Sequence, residues 1–107
     1  MQIQLKKGVM ELLVLALLTE TDRYGYDMVV AISEHVEISE GTIYPLLSRL
    51  KKEKYVDTYL KESSNGPSRK YYTITKEGHK AYGEMKREWQ EFVTVVNNML
   101  EGVDTHE

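Results

Sequence analysis

The 107-residue sequence contains no cysteine and only two prolines, one phenylalanine and one tryptophan. Without cysteine there are no disulfide bonds, and a zinc site would depend on histidine and carboxylate ligands alone. The histidines, His35, His79 and His106, are far apart, and none has another histidine four residues away. The sequence therefore predicts no bound metal and no other cofactor.

Long hydrophobic runs and catalytic groupings are also missing. The longest apolar run, Leu12 to Leu18, has seven residues, whereas a membrane span needs about 20. No cleavable signal pattern precedes it, so we expect a cytoplasmic protein without membrane contact. Because no Ser/His/Asp grouping, carboxylate pair or phosphate-binding glycine loop is evident, we do not expect an enzyme.

Positive charge is not in excess, since the net charge is −3. That value argues against nucleic-acid binding, which depends on neutralising phosphates. However, residues 39–80 contain nine basic and five acidic side chains, a balance of +4, whereas the remainder has five basic and twelve acidic ones, a balance of −7. The basic middle is therefore the candidate region for an anionic partner.

Hydrophobic periodicity predicts two helices before this basic region. The first contains Leu12 to Leu18 and is apolar almost all round, so we expect it to be covered on more than one side. The second runs roughly from Tyr24 to Val36. Its apolar stripe comprises Val29, Ile32, Ser33 and Val36.

A third helix is predicted to begin at Ser39, whose hydroxyl would accept an N–H of the first turn. The spacing i, i+3, i+4 and i+7 gives it an apolar face of Ile43, Leu46, Leu47 and Leu50. Most of its other side chains are polar or cationic, namely Thr42, Tyr44, Ser48, Arg49, Lys51 and Lys52. This composition favours contact with an anionic surface. Packing of Tyr44 against the following hairpin, and simple solvation of Arg49 and Lys52, are the alternatives.

Pro45 is unusual so close to the start of this helix. If the helix is counted from Ser39, the proline removes the hydrogen bond to the Gly41 carbonyl. If Thr42 is the cap instead, Pro45 lies in the first turn. Its missing N–H then costs little stability, because N–H groups of the first turn have no partner within the helix. In both cases we expect Pro45 to aim Thr42 and Tyr44 outward.

A β-hairpin and a long helix complete the chain. Residues 55–75 alternate with period two around an Asn-Gly-Pro loop, which predicts a hairpin with Tyr72 in the core. A helix should follow from Lys76, with Thr75 as its N-cap. Its apolar residues repeat at alternating spacings of three and four, which is typical of a coiled-coil seam: Tyr82, Met85, Trp89, Phe92, Val96, Met99 and Val103. We expect a second copy of the helix as partner; the alternative is that it only covers its own core.

This order of elements is that of a winged helix-turn-helix domain, an α+β fold that is mostly α, with an appended C-terminal dimerisation helix. The strings GTIYPLLSRLKKEKYV and GPSRKYYTITKEG resemble the two signature stretches of the PadR family of transcriptional regulators. MELLVLALLTETDRYGYDM resembles its amino-terminal part. The resemblance extends from about Leu5 to Leu100, and the single last helix is similar to that of the short, multidrug-sensing members. It departs at Lys54-Tyr55, where members usually have glycine and an aliphatic residue, so we expect Lys54 to adopt a C-terminal turn conformation at some cost.

The resemblance implies a homodimeric transcriptional repressor that binds double-stranded DNA. Residues 1–75 would form its DNA-binding domain and residues 76–107 its dimerisation helix. The third helix would enter the major groove, and the hairpin would be a wing that reaches a minor groove or the backbone. The implied DNA-binding residues are Ser39, Thr42, Tyr44, Arg49, Lys52, Lys61, Gly66, Arg69 and Lys70. The implied dimer interface consists of Tyr82, Met85, Trp89, Phe92, Val96 and Met99.

Trp89 is also a candidate ligand-binding residue. In the multidrug-sensing branch a matching tryptophan lines a flat cavity between subunits, which implies a small planar aromatic effector. Simple packing of Trp89 is the alternative. For the whole protein, the alternative function is a winged-helix protein-interaction module without DNA binding, which the acidic net charge favours.

Overall fold

The computed structural model describes residues 3–63 and 65–105. Ser64 of the predicted loop and His106 therefore lie outside the described residues. Within these residues, the chain forms four helices and three strands, in the order α1 (Ile3–Glu20), β1 (Arg23–Tyr24), α2 (Gly25–Ser33), α3 (Glu40–Lys52), β2 (Val56–Ser63), β3 (Gly66–Ile74) and α4 (Lys76–Thr105). This is the predicted α+β, mostly helical winged-helix architecture.

Helix α1 is the centre of the domain. It contacts α2, α3, α4 and β3, which is why its sequence is apolar on more than one side. Its most deeply buried side chains meet Met28 of α2 and the buried face of α3 in one core. They are Met10, Val14, Leu15 and Leu18.

The second helix, predicted roughly from Tyr24 to Val36, differs from the prediction in its start, its end and one residue of its apolar stripe. Tyr24 lies in a two-residue strand, β1, that pairs with β3, and the helix begins at Gly25. The helix ends at Ser33 rather than Val36, because the N–H groups of His35 and Val36 both bond to the Ile32 carbonyl in a closing turn. Ser33, predicted on the apolar stripe, is exposed.

Strands β2 and β3 form the predicted hairpin, which we call the wing (residues 56–74). The sheet is antiparallel in the order β1-β3-β2, and the β2–β3 register runs from Val56↔Ile74 to Lys61↔Arg69 before it shifts near the tip. Tyr72 is buried in the core as predicted.

Helix α3 ends in a Schellman turn built on a lysine. The N–H of Lys54 bonds to the Lys51 carbonyl and that of Tyr55 to the Leu50 carbonyl, the pair of bonds that closes such a turn. Lys54 accordingly has φ of 68°. The expected strain at Lys54 is thus present, and the turn directs the chain into β2.

Helix α4 begins after Thr75, as predicted. The Gly78 N–H donates to the Thr75 hydroxyl oxygen at 3.0 Å, which is N-cap geometry. A β-carbon at Gly78 would clash with the Tyr55 carbonyl oxygen. Glycine in this turn therefore lets α4 start directly against the end of α3.

Candidate nucleic-acid interface

The predicted capping role of the Ser39 hydroxyl was wrong, although Ser39 does hold the N-cap position. The N–H groups of Thr42 and Ile43 bond to the Ser39 backbone carbonyl at 3.0 and 3.3 Å, and the side chain makes no capping bond. Its hydroxyl instead lies 3.5 Å from that of Thr42. Both side chains are exposed, so two hydroxyls mark the start of α3.

Pro45 lies inside a continuous helix. Since α3 starts at Glu40 and Thr42 is already helical, the alternative in which Thr42 caps the helix is excluded. Pro45 has no N–H, so the Gly41 carbonyl lacks the usual donor four residues ahead. The first turn of the helix therefore contains one carbonyl, that of Gly41, without its regular partner.

The two faces of α3 are sharply different. The predicted apolar residues are all buried: Ile43, Leu46, Leu47 and Leu50. Directly opposite, at helical spacing, lies an exposed stripe of Gly41, Pro45, Ser48 and Lys52. Apart from Lys52 its members are small or compact, so the most outward part of the helix has little side-chain bulk.

Tyr44 lies at one edge of this stripe and packs against the start of α2. A β-carbon on Gly25 would lie 2.5 Å from Cε1 of Tyr44. The side chain remains 39% exposed. Burial, followed by the negative charge of Glu40, raises the pKa of the Tyr44 hydroxyl above its ordinary value. Tyr44 is therefore a protonated donor at neutral pH whose ring is held by packing.

Arg49 lies at the other edge and is paired within the protein. Its guanidinium is 3.0 Å from Glu11 of α1 and 4.0 Å from Glu53. Lys51 donates to the Thr58 hydroxyl at 2.8 Å and so joins α3 to the wing. Lys52, by contrast, is exposed on the outward stripe.

The outer face of the wing carries a tyrosine array that sequence reasoning did not identify as a unit. Tyr71 lies between Tyr24 and Tyr59, with ring centroids 5.7 and 5.8 Å apart. The Tyr59 hydroxyl donates to Asp22 at 2.7 Å, and this hydrogen bond raises the pKa of Tyr59. The alternation of β2 and β3 predicts that Tyr59 and Tyr71 share a face. Tyr24 joins them through strand β1, which the sequence pattern does not predict.

Two predicted wing cations lie over this array. The Arg69 guanidinium is 4.8 Å from the Tyr24 ring centroid, and the Lys61 ammonium is 5.1 Å from that of Tyr71. Arg69 and Lys61 are direct partners in the β-register, an arrangement of like charges that is unfavourable without an anion. Gly66 starts β3 at the wing tip.

The structure brings part of the predicted set together around one concavity. Its lining combines the start of α2, Tyr44 of α3 and two wing cations, with these residues: Tyr24, Gly25, Tyr26, Tyr44, Arg69, Lys70 and Tyr72. A second concavity, against α1 on the other side of α3, is lined by Met10, Gly41, Thr42, Pro45, Leu46 and Arg49. Helix α3 thus projects between two shallow depressions. Lys61 and Gly66 lie farther along the wing.

The predicted seam of α4 divides into two parts. Tyr82 and Met85 are half-buried and help to cover the core of the same chain. Farther along, Trp89, Phe92 and Met99 are 41, 59 and 69% exposed, and Val96 is partly exposed. The exposed apolar surface also includes Val95, Leu100 and Val103, of which Val95 and Leu100 were not in the predicted seam.

Within the described part of the chain, no helix is long and apolar enough to cross a membrane. No group of His, Asp or Glu side chains among these residues is arranged to hold a metal ion.

Comparison with known proteins finds similar chains among transcriptional regulators. Residues 14–84 match the family model of the PadR-like transcriptional regulators. A PadR-like transcriptional regulator from Bacillus cereus is 43% identical, with a TM-score of 0.83 over 91% of this chain and 96% of that one. A transcriptional regulator from Clostridium thermocellum is 34% identical, with a TM-score of 0.80 over 89% and 96%.

A curated relative, an uncharacterized protein from Lysinibacillus sphaericus, is 33% identical over 92% of this chain and 94% of its own length. The family model covers most of the winged-helix elements and the first turns of α4, and the similar structures extend over nearly the whole chain. The chain therefore belongs to the PadR-like family of transcriptional regulators.

Proposed function

We propose that this protein is a dimeric cytoplasmic repressor that binds a pseudo-palindromic DNA operator through α3 and the wing. The observation that carries the proposal is the concavity in which Tyr44 of α3 meets Arg69 and Lys70 of the wing. A protonated hydroxyl and two cations on one surface suit the phosphate backbone of DNA.

The charge distribution supports the same surface. All of these groups lie within residues 39–80, where basic side chains exceed acidic ones by four. In the proposed complex, α3 enters the major groove with Ser39 and Thr42 near the base edges, and Lys52 contacts phosphate. Lys61 and Gly66 extend along the wing toward the minor groove or the backbone. Arg49 contacts phosphate only after it leaves Glu11.

The exposed apolar row of α4 supports dimerisation. Phe92 and Met99 are more than half exposed in the single chain, and burying them against a second copy removes apolar surface from water. In this proposal residues 1–75 form the DNA-binding domain and 76–107 the dimerisation helix. A two-fold axis through α4 would present two α3 helices to successive major grooves, roughly 34 Å apart.

A planar aromatic effector bound beside Trp89 would relieve repression. Anything that changes the crossing angle of the two α4 helices changes the separation of the α3 helices, so a ligand that favours one arrangement alters DNA affinity. Titration of planar aromatic cations while following Trp89 emission tests this part. Unchanged emission across a broad panel would rule out the effector role without affecting the proposal of DNA binding.

DNA binding itself is tested with a duplex from the region upstream of the protein's own gene. We expect retention of this fragment, a footprint with two-fold symmetry, and affinity that falls steeply as salt rises. Binding that does not weaken with salt, or no binding at all, would favour the alternative of a protein-interaction module, for which the net charge of −3 is the supporting observation.

A further inference from the structure

Two residues that are unfavourable in helices occupy one exposed stripe of α3. Gly41 and Pro45 are four residues apart, so they lie one above the other on the face opposite the core. Glycine and proline are the two residues least favourable within a helix. Their presence on one face of a single helix needs a reason.

Packing within the chain does not supply that reason for Gly41. A β-carbon there would meet only the Ser39 hydroxyl oxygen, at 3.6 Å, which is ordinary van der Waals contact. At Gly25 and Gly78, by contrast, a β-carbon would clash with atoms of the same chain. Gly41 also does not have positive φ. No contact within the chain thus accounts for the absence of a side chain at position 41.

Pro45 gives the same stripe a chemical function. It deprives the Gly41 carbonyl of its helical donor, and no side chain at position 41 covers the neighbouring surface. A carbonyl oxygen is a hydrogen-bond acceptor, and one that lacks its regular partner gains from an external donor. Gly41 and Pro45 together thus offer a backbone acceptor on the outward face of α3.

We infer that the Gly41 carbonyl reads a base, which deepens the proposed function and rests on it. In the major groove, adenine and cytosine present amino donors, at N6 and N4, whereas thymine and guanine present carbonyl acceptors in the equivalent positions. An acceptor on the protein bonds to the first pair and is repelled by the second. The operator half-site therefore contains one position that requires adenine or cytosine because of Gly41.

The test is selection from a random duplex DNA library with the wild-type protein and with Pro45→Ala. Alanine restores an N–H that bonds to the Gly41 carbonyl, and it removes a helix breaker, so this variant should remain folded. We expect the wild type to enrich a half-site with one adenine-or-cytosine position. The Pro45→Ala protein should lose the preference at that position and keep the others.

A base analogue then checks the contact directly. 2-Aminopurine pairs with thymine but carries its amino group on the minor-groove edge, so replacing the selected adenine should weaken wild-type binding by up to about tenfold. If cytosine is selected, an analogue without the N4 amino group serves. The Pro45→Ala protein should be insensitive to either replacement, whereas equal losses for both proteins would overturn the inference.

A second experiment uses glycine variants of α3 and α4. Gly41→Ala should weaken binding to every sequence, because the added methyl group holds the helix away from the groove. Gly83→Ala in α4, where a β-carbon meets nothing within 4 Å, is the matched control and should bind as the wild type does. Unchanged affinity for Gly41→Ala, or unchanged sequence preference for Pro45→Ala, would contradict the role of this stripe. A wild type that enriches no sequence would instead contradict the proposed function itself.

Discussion

The Cε1 edge of the Tyr44 ring lies only 2.5 Å from the position that a β-carbon on Gly25 would take. Gly25, the first residue of α2, thus leaves the space in which the Tyr44 side chain of α3 packs. This contact joins the two helices of the helix-turn-helix at the edge of the surface that we propose for DNA.

Gly25→Ala should displace Tyr44 and thereby weaken operator binding. A methyl group 2.5 Å from Cε1 forces the ring to move, and loss of one hydrogen bond corresponds to up to about a tenfold change in affinity. Fluorescence anisotropy with operator DNA measures this. The Gly25→Ala/Tyr44→Ala double variant should bind no worse than Tyr44→Ala, because both changes remove the same contact; additive losses would show that Gly25 acts by another route.

Tyr44→Ala and Lys70→Ala should both reduce operator affinity and leave the dimer intact. They differ in their dependence on salt, since Lys70 is proposed to neutralise a phosphate and Tyr44 carries no charge. Lys70→Ala should lower the slope of log affinity against log salt by about one, while Tyr44→Ala leaves the slope unchanged. A mutant that binds as tightly as the parent at the same salt would remove its residue from the interface.

Lys54→Gly should stabilise the protein. Lys54 has φ of 68°, and a left-handed conformation costs a residue other than glycine roughly 1–2 kcal/mol. Greater freedom of glycine in the unfolded chain offsets part of this gain, so we expect an increase of about 1 kcal/mol in the free energy of unfolding by urea denaturation. Lys54→Ala removes the same side chain and retains the strain; an equal gain in this control would attribute the effect to charge.

Gly78→Ala and Gly83→Ala should have opposite effects although both lie in α4. At Gly78 the methyl group meets the Tyr55 carbonyl oxygen, and overpacking of this kind costs about 1–3 kcal/mol. At Gly83 the methyl group meets nothing, so the better helix propensity of alanine should add about 0.5–1 kcal/mol. Thermal unfolding of the pair measures both changes, and destabilisation by Gly83→Ala would indicate an unseen neighbour.

Phe92→Glu should convert the proposed dimer to a monomer. Phe92 is 59% exposed in the single chain, so a glutamate carboxylate at this position should hardly affect the stability of the monomer. At an apolar interface between two chains the same carboxylate would lose its hydration, which is costly. Sedimentation velocity gives the mass, and circular dichroism checks that the monomer keeps its helices. Glu91→Lys, also a charge change at an exposed position of α4, is the control outside the predicted seam and should remain dimeric. A wild type that is monomeric at micromolar concentration would contradict the dimer proposal.

Much of the architecture was determined by local pattern. The buried face of α3, the cap at Thr75 and the alternation that buries Tyr72 all depend on residues close in sequence, so periodicity and capping chemistry were sufficient. The resemblance to the PadR family also depended on local strings such as GTIYPLLSRLKKEKYV. The strain at Lys54 followed from the absence of glycine where the helix must end.

Tertiary structure alone decided the features that join distant segments. Strand β1 has two residues and exists because β3 lies beside it, so no sequence period could reveal it or the stacking of Tyr24 on Tyr71. The sequence around Arg49 does not indicate that Glu11 is its partner, but the packing of α3 on α1 brings the two side chains together. Likewise, the contact between Gly25 and Tyr44 exists only because α2 packs against α3. Residue order along the chain determined which faces are apolar and basic. Long-range packing determined which side chains meet, because those contacts depend on the relative placement of elements and not on their own periodicity.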